Sequence, residues 1–188
     1  ELPDRQVGEI WLHGHNVGRG YWGRPAETEA TFGAHLGARL AGASHAGDVP
    51  ADARWLRTGD LGFYLDGEYY VAGRIADLVN VDGRRFYPQD IEEIVSSHPA
   101  IHDGRAVAFG LFNKSMGTED IVVIAEVEQE ELLQDAIAIA AAIRSAVASD
   151  VGAAVKTVYL KPRGWLVKST AGKPSRAGTR EKALREHP

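Results

Sequence analysis

The chain of 188 residues contains no cysteine, so disulfide bonds, thiolate metal sites and a cysteine nucleophile are excluded. Long apolar stretches are also missing, because no run approaches the ~20 residues that a membrane-spanning helix requires. The first residues, 1–5, lack the basic segment that begins a signal peptide. With 44% hydrophobic and 25% charged residues, the composition is that of an ordinary globular protein. These features predict a cytoplasmic protein without a transmembrane segment.

Acidic residues are absent from residues 151–180, a stretch that holds seven of the 21 lysines and arginines. The net charge of −5 is therefore unevenly spread, because the other residues carry 14 bases against 26 acids. A basic segment on an acidic protein suggests an anionic ligand or partner. A solvated surface with acids nearby in space explains the same pattern at least as well.

Two regions of the chain differ in their pattern of apolar residues. The first, to about residue 73, is predicted to be mostly β-structure, with a tight hairpin turn at Asp66-Gly67 between aromatic and β-branched flanks. The second mixes strands and helices that interleave around a small sheet, which predicts an α+β domain with a central sheet flanked by helices. Its predicted elements include a strand over 75–81, a helix from Pro88, a strand over 120–127, a helix over 130–149, a loop over 161–176 and a terminal helix over 179–186. The boundary is expected near residues 74–77.

Three segments combine residue types that can bind a hydroxylated or anionic ligand. Residues 57–62 (RTGDLG) place Asp60 on a glycine-flanked turn, where it can accept hydrogen bonds from the two vicinal hydroxyls of a ribose or bond its own backbone. Residues 73–92 include Arg74, whose guanidinium can reach a phosphate or form an ion pair with Asp77 or another neighbour. Residues 168–176 (KSTAGKPSR) surround Lys173 with small residues that permit close approach to an anion, and a flexible basic tail is the alternative. This last segment is not a P-loop, because the earlier glycine is missing and Pro174 follows the lysine.

In this order, RTGDLG, GRIADLVNVDGRRFYPQDIE and KSTAGKPSR resemble the last motifs of the adenylate-forming enzyme superfamily. That superfamily includes acyl-CoA synthetases, luciferases, peptide-synthetase adenylation domains and fatty-acyl-AMP ligases. The resemblance covers nearly the whole chain, since Gly8-Glu9-Ile10-Trp11 and Gly20-Tyr21-Trp22 resemble the segment that precedes RTGD in those enzymes. The runs WLRTGDLGF and YPQDIE are most similar to fatty-acyl-AMP ligases, which activate a fatty acid as acyl-AMP and commonly deliver it to an acyl carrier protein rather than to CoA.

The resemblance implies two domains and a role for each matching residue. Residues 1–75 would be the β-rich end of a large adenylation domain, and residues 76–188 a small mobile C-terminal domain. Asp60 would bind the ribose hydroxyls of ATP, and Arg74 would contact the ribose and phosphate region. The hinge position, usually Lys or Asp, is Ala76 here, which leaves Asp77 as the nearest polar candidate. Lys173 would be the catalytic residue that reaches the carboxylate and α-phosphate during adenylation, from an exposed and poorly ordered loop.

ATP and Mg²⁺ are the cofactors that the resemblance implies, with a fatty acid as substrate and an acyl carrier protein or CoA as acceptor. The Mg²⁺ ligands are expected upstream of this region, and no metal site is predicted here because His13 and His15 lack a third ligand of suitable spacing. No nucleic-acid partner is expected. The phosphate loop, adenine pocket and acyl tunnel of these enzymes also lie upstream, so this chain alone is expected to be inactive.

Three alternatives remain open at the level of sequence. The first is a fatty-acyl-CoA synthetase, which differs in the acceptor of the acyl group. The second is a non-catalytic module that docks a carrier protein through its basic segment. The third is a regulatory homologue without turnover, which Ala76 slightly favours and which intact Asp60, Arg74 and Lys173 disfavour. Arg85 occupies a position where fatty-acyl-AMP ligases often carry Asn, and its effect is not assigned.

Overall fold

The computed structural model describes residues 1–42 and 44–186. The chain divides into two compact units, the first ending at Ala76 and the second beginning at Asp77.

The first unit is built on a three-stranded antiparallel sheet in the order β1-β2-β3. Its elements are β1 (Gly8–Leu12), α1 (Pro25–Phe32), β2 (Leu56–Leu65) and β3 (Glu68–Arg74). The predicted hairpin joins β2 to β3, and both turn residues have positive φ angles, 52° at Asp66 and 91° at Gly67. Aspartate and glycine tolerate that conformation better than other residues, which is why this dipeptide sets the register of the hairpin. The predicted strand over 75–81 is wrong in its first half, because Ile75–Asp77 forms a 3₁₀ turn.

The second unit contains a central sheet of three strands in the order β6-β7-β8 and a separate small hairpin, β4-β5. Its strands are β4 (Val79–Val81), β5 (Arg84–Phe86), β6 (Ile101–Asn113), β7 (Thr118–Val127) and β8 (Val155–Lys161), and its helices are α2 (Pro88–Ser96), α3 (Ala136–Val151) and α4 (Arg176–Glu186). Strand β7 pairs antiparallel with β6 and parallel with β8. The parallel pairing requires a crossover connection, which α3 and the 3₁₀ turn before it, Glu130–Asp135, provide. The terminal helix begins at Arg176, three residues earlier than predicted.

Helices cover both faces of the central sheet. This cover is required because successive side chains of β7 point to opposite faces and are apolar on both. Ile121, Val123 and Ala125 belong to one apolar cluster, together with buried residues of α2 and α3. Val122 and Ile124 belong to a second cluster on the other face, which includes Ala183 of α4. A strand that is buried on both faces reads as a continuous apolar run, and this run is the DIVVIAEV segment. The arrangement confirms the predicted α+β class with a central sheet flanked by helices.

The segment Glu130–Val151 is long and apolar enough to cross a membrane by length and composition. In the structure one side of this segment is buried, where Ile139, Ile143 and Val147 of α3 belong to the apolar cluster that packs against the sheet. The helix ends at Val151 and is capped by Gly152, whose φ of 66° is the left-handed conformation that glycine favours.

Candidate functional site

Asp60 and Arg74, which are 14 positions apart in the sequence, are cross-strand neighbours in the first unit. The antiparallel register of β2 and β3 places them directly opposite each other. Arg74 Nε donates a hydrogen bond of 2.9 Å to Asp60 Oδ1. The side chains are 66% and 33% exposed respectively, so both remain open to a ligand. The ion-pair partner of Arg74 is therefore Asp60 and not Asp77.

A bulge in β2 determines how Asp60 is presented. One residue of β1, Ile10, faces three residues of β2, 58–60, because the register shifts there. Gly59 has a φ of 73°, a left-handed conformation that glycine adopts without steric cost. Thr58 Oγ1 donates a 2.7 Å hydrogen bond to the carbonyl of Ile10 and accepts one of 3.0 Å from the backbone N–H of Asp60. The bulge thus takes Asp60 out of the β1–β2 ladder, while Asp60 stays paired with Arg74 in the β2–β3 ladder.

The Glu9 carboxylate supports this bulge from the neighbouring strand. It accepts hydrogen bonds from the backbone N–H of Gly59 (3.2 Å), from Arg57 Nε (3.0 Å) and from Trp11 Nε1 (2.9 Å). Its side chain is only 14% exposed. Burial raises the pKa of Glu9, but hydrogen bonds from Trp11, Arg57 and Gly59 outweigh burial and leave the pKa below its ordinary value. The role of Glu9 was not predicted from the sequence, where the one available signal is an acid within a short strand of otherwise uncharged residues.

The predicted hinge residues lie in the 3₁₀ turn that follows β3. Ala76 is exposed and is the last residue of the first unit. Asp77 is the first residue of the second unit, and its Oδ2 accepts a hydrogen bond from Arg176 Nη1 of the same unit. The polar group at this boundary is thus already engaged within the second unit.

Lys173 lies at the end of a short β-hairpin, residues 167–175, which we call the lysine hairpin. Its closing hydrogen bonds run from Ser169 N to the carbonyl of Lys173 (2.8 Å), from Gly172 N to the carbonyl of Ser169 (2.9 Å) and from Ser175 N to the carbonyl of Val167 (2.7 Å). The Lys173 side chain is exposed, and no carboxylate of residues 1–42 or 44–186 lies within ion-pairing distance of it. The backbone is hydrogen-bonded as a hairpin rather than open, which the composition of small residues did not indicate.

Arg176 forms a charged cluster where the lysine hairpin joins α4. Its Nε and Nη2 donate to the two carboxylate oxygens of Glu92 at 2.9 and 2.7 Å, while Nη1 donates to Asp77. Glu92 Oε1 also accepts a 2.8 Å hydrogen bond from the backbone N–H of Ala108 in β6. We call Arg176, Glu92 and Asp77 the arginine cluster. Burial lowers the pKa of Arg176, but its hydrogen bonds and charge interactions, first with Glu92 and then with Asp77, outweigh burial and raise the pKa above its ordinary value. Glu92 and Arg176 lie in two of the motifs named above, but neither residue was predicted to have a role.

A groove of about 650 Å³ runs beside the lysine hairpin in the second unit. It is lined by Glu93, Ser97, Asp103, Lys173 and Arg176, among others. The described part of the chain contains no group of three histidine, aspartate or glutamate side chains arranged to hold a metal ion. His13 is engaged instead with the backbone, since its Nδ1 lies 2.9 Å from the carbonyl oxygen of Arg54.

No family model matches the chain, but individual proteins do. The long-chain-fatty-acid–AMP ligase FadD32 of Mycobacterium marinum is 38% identical over 199 residues, covering 96% of this chain and 32% of that enzyme. The medium-chain-fatty-acid–[acyl-carrier-protein] ligase JamA of Moorena producens is 38% identical over 184 residues, covering 97% of this chain and 29% of that enzyme. A solved structure from work on the fatty acyl-adenylate ligases of E. coli and L. pneumophila has a TM-score of 0.71 at 28% identity, covering 99% of this chain and 29% of that one.

The chain spans about a third of the length of the curated relatives that it matches, and this third is their C-terminal portion. Over nearly its whole length, the chain is similar to the C-terminal third of adenylate-forming enzymes, among them the fatty-acyl-AMP ligases.

Proposed function

We propose that this chain is the C-terminal part of an ATP-dependent fatty-acyl-AMP ligase, which activates a fatty acid as acyl-adenylate for transfer to an acyl carrier protein. The observation that carries the proposal is the Asp60–Arg74 pair, displayed on a bulge with both side chains open to a ligand. A carboxylate beside a guanidinium suits a ribose phosphate, because the carboxylate accepts from vicinal hydroxyls and the guanidinium donates to a phosphate. The relatives named above are ligases that join fatty acids to AMP or to a carrier protein.

In the first half-reaction the fatty-acid carboxylate attacks the α-phosphate of ATP, an O–P bond to the acyl oxygen forms, and the bond to pyrophosphate breaks. Two anions approach each other in this step, so catalysis consists mainly of positioning and charge neutralisation. Asp60 would hold the ribose through its hydroxyls, and Arg74 would donate to the ribose and phosphate region. Lys173 would donate to the carboxylate and α-phosphate oxygens, and it suits this role because no carboxylate of the described residues neutralises its ammonium.

Mg²⁺ is proposed to accompany ATP, but the residues that the structure describes do not fit a site for it. The described residues offer no suitable group of three carboxylate or imidazole side chains. We therefore assign no step to the metal here and expect its ligands in the part of the enzyme that precedes this region.

In the second half-reaction a thiol of the carrier protein attacks the acyl carbon, a thioester bond forms, and AMP leaves. We propose that residues 1–75 complete the large adenylation domain and that the unit from residue 76 onward is a mobile domain, with Ala76 and Asp77 at the hinge. Rotation of such a domain would let one site serve both half-reactions. A cytoplasmic location is proposed with this function, because ATP and carrier proteins are cytoplasmic.

The proposal is tested with the full-length enzyme that contains this chain. We expect fatty-acid-dependent exchange of pyrophosphate into ATP, and thioester formation on a holo carrier protein that exceeds thioester formation on CoA. Asp60→Asn should raise the KM for ATP, whereas Glu68→Gln, which removes an exposed charge from β3 of the same sheet, should not. Exchange that does not depend on a fatty acid would refute the activity. A preference for CoA would identify an acyl-CoA synthetase, and an unchanged KM in Asp60→Asn would remove Asp60 from the ribose site.

A further inference from the structure

The arginine cluster joins three separate parts of the second unit. Arg176 is the first residue of α4 and stands three positions after Lys173. Glu92 lies on α2, and Asp77 is the first residue of the unit. These partners are 84 and 99 positions from Arg176 in the sequence, so the cluster is a tertiary contact and not a local one.

The arginine cluster restricts the orientation of the Arg176 side chain more than a single ion pair on the surface would. Arg176 contacts both oxygens of Glu92 through two nitrogens, and the third nitrogen is directed to Asp77. The three side chains are 21%, 18% and 29% exposed, so solvent screens their interaction less than it screens pairs on the open surface. The planar guanidinium presents its N–H donors in a fixed fork, so pairing with two carboxylates fixes the orientation of the Arg176 side chain as well as its distance from them. A lysine ammonium has no such fork.

The lysine hairpin is attached to the rest of the unit at its base and through Arg176. At its base, Val167 N donates to Thr179 Oγ1 at 3.3 Å, Thr179 N donates to the carbonyl of Ser175 at 2.9 Å, and Gly178 N donates to Ser175 Oγ at 3.2 Å. Thr179 is fully buried. The second attachment is the side chain of Arg176, which is the first residue of α4 and directly follows the hairpin. Only Pro174 and Ser175 separate Lys173 from Arg176, and the proline ring restricts rotation between them. The orientation of the Lys173 backbone therefore depends on where the Arg176 side chain is held as well as on the bonds of Ser175 to α4.

From these contacts we infer that Arg176 is a positioning residue for adenylation, which fixes the direction of the lysine hairpin through Glu92 and Asp77. The inference rests on the proposed function of Lys173. An ammonium without an ion partner in the described residues has nothing of its own to orient it, so its backbone must do so. Arg176 itself remains paired to two carboxylates and is not required to touch the substrate. Since Asp77 borders the proposed hinge, the same guanidinium also links the lysine hairpin to the segment about which the unit would turn.

The first test measures anchoring in the 188-residue chain and needs no activity. Trypsin can cut the lysine hairpin after Lys168 but not after Lys173, because Pro174 follows it. Brief digestion of the folded chain, followed by mass spectrometry, should show faster cleavage after Lys168 in Arg176→Gln than in the unchanged chain. Arg180→Gln is the matched control, because it removes the same charge from an exposed position of the same helix. Equal cleavage rates in Arg176→Gln and Arg180→Gln would overturn the inference.

The second test measures the two half-reactions in the full-length enzyme. Arg176→Gln should lower kcat for pyrophosphate exchange by about 10²-fold, the cost of misplacing a catalytic group by roughly 1 Å, with little change in the KM for ATP. Acyl transfer from supplied acyl-AMP should be retained, and Arg176→Lys should restore exchange only in part because it keeps the charge without the fork. An equal loss in both half-reactions together with a lowered melting temperature would assign Arg176 a purely structural role and overturn the inference.

A double variant separates this inference from the proposed function. If Arg176 acts through Lys173, Arg176→Gln combined with Lys173→Ala should be no slower in exchange than Lys173→Ala alone. A further loss in the double variant would show that Arg176 acts elsewhere. Full exchange activity in Lys173→Ala would instead refute the proposed role of the lysine, whatever the proteolysis shows about anchoring.

Discussion

Removal of the Lys173 ammonium is the most direct perturbation of the proposed first half-reaction. The side chain is exposed and has no ion partner among the described residues, and the hydrogen bond that closes the hairpin uses the Lys173 carbonyl. Lys173→Ala therefore leaves no buried group unpaired, and the free energy of unfolding should change by less than about 0.5 kcal/mol. Loss of one charged donor that acts mainly in the transition state typically costs about 3 kcal/mol, or ~10²–10³ in rate.

Two assays on the full-length enzyme divide this loss between the half-reactions. Fatty-acid-dependent pyrophosphate exchange should fall by ~10²–10³ in Lys173→Ala. Acylation of the carrier thiol from supplied acyl-AMP should be preserved, because pyrophosphate has already left and the α-phosphate no longer needs the lysine. Lys168→Ala is the matched control, since Lys168 is exposed on the opposite strand of the same hairpin, where it pairs with Pro174. Equal losses in both assays, no loss in either, or an equal loss in Lys168→Ala would refute the reasoning.

Three further predictions concern the folded chain itself. Glu9→Gln should lower the free energy of unfolding at neutral pH by about 1.5–3 kcal/mol, because the charge strengthens three hydrogen bonds. The pKa of Glu9 is lowered in the folded state, so its contribution is present above its ordinary pKa of 4.5 and is lost as the pH falls through the folded value. Urea unfolding across that range should thus depend less on pH in Glu9→Gln, and an unchanged pH dependence would exclude Glu9 as a stabilising group. Gly59→Ala should cost roughly 1–2 kcal/mol in urea unfolding because φ is 73°, whereas Gly37→Ala, with nothing within 4 Å of an added Cβ, should cost little; similar costs would contradict the bulge. Ile143→Ala should cost ~2–5 kcal/mol as a cavity in the core, while Ile137→Ala on the same helix, at a position 90% exposed, should shift the thermal midpoint little; the reverse order would contradict the packing of α3.

The sequence alone was sufficient for the superfamily and for the α+β class. Both depend on local patterns, namely short motifs in a fixed order and apolar periodicities that change from strand-like to mixed. The hairpin at Asp66-Gly67 followed for the same reason, since the turn type depends on the conformations that those two residues tolerate. The 3₁₀ turn at Ile75–Asp77 was missed, because apolar residues at a turn between two units give the same local pattern as a strand.

The contacts that make up the candidate site were decided only by the tertiary structure. Asp60 meets Arg74 because of the register of β2 and β3, and the bulge that presents Asp60 depends on Glu9 in another strand. Arg176 reaches Glu92 and Asp77 across 84 and 99 positions of the sequence. Each side chain on its own has several possible partners, and a single sequence does not distinguish among them. Strand register and helix packing, which depend on burial of the whole apolar core, select one partner and so determine the geometry of the site.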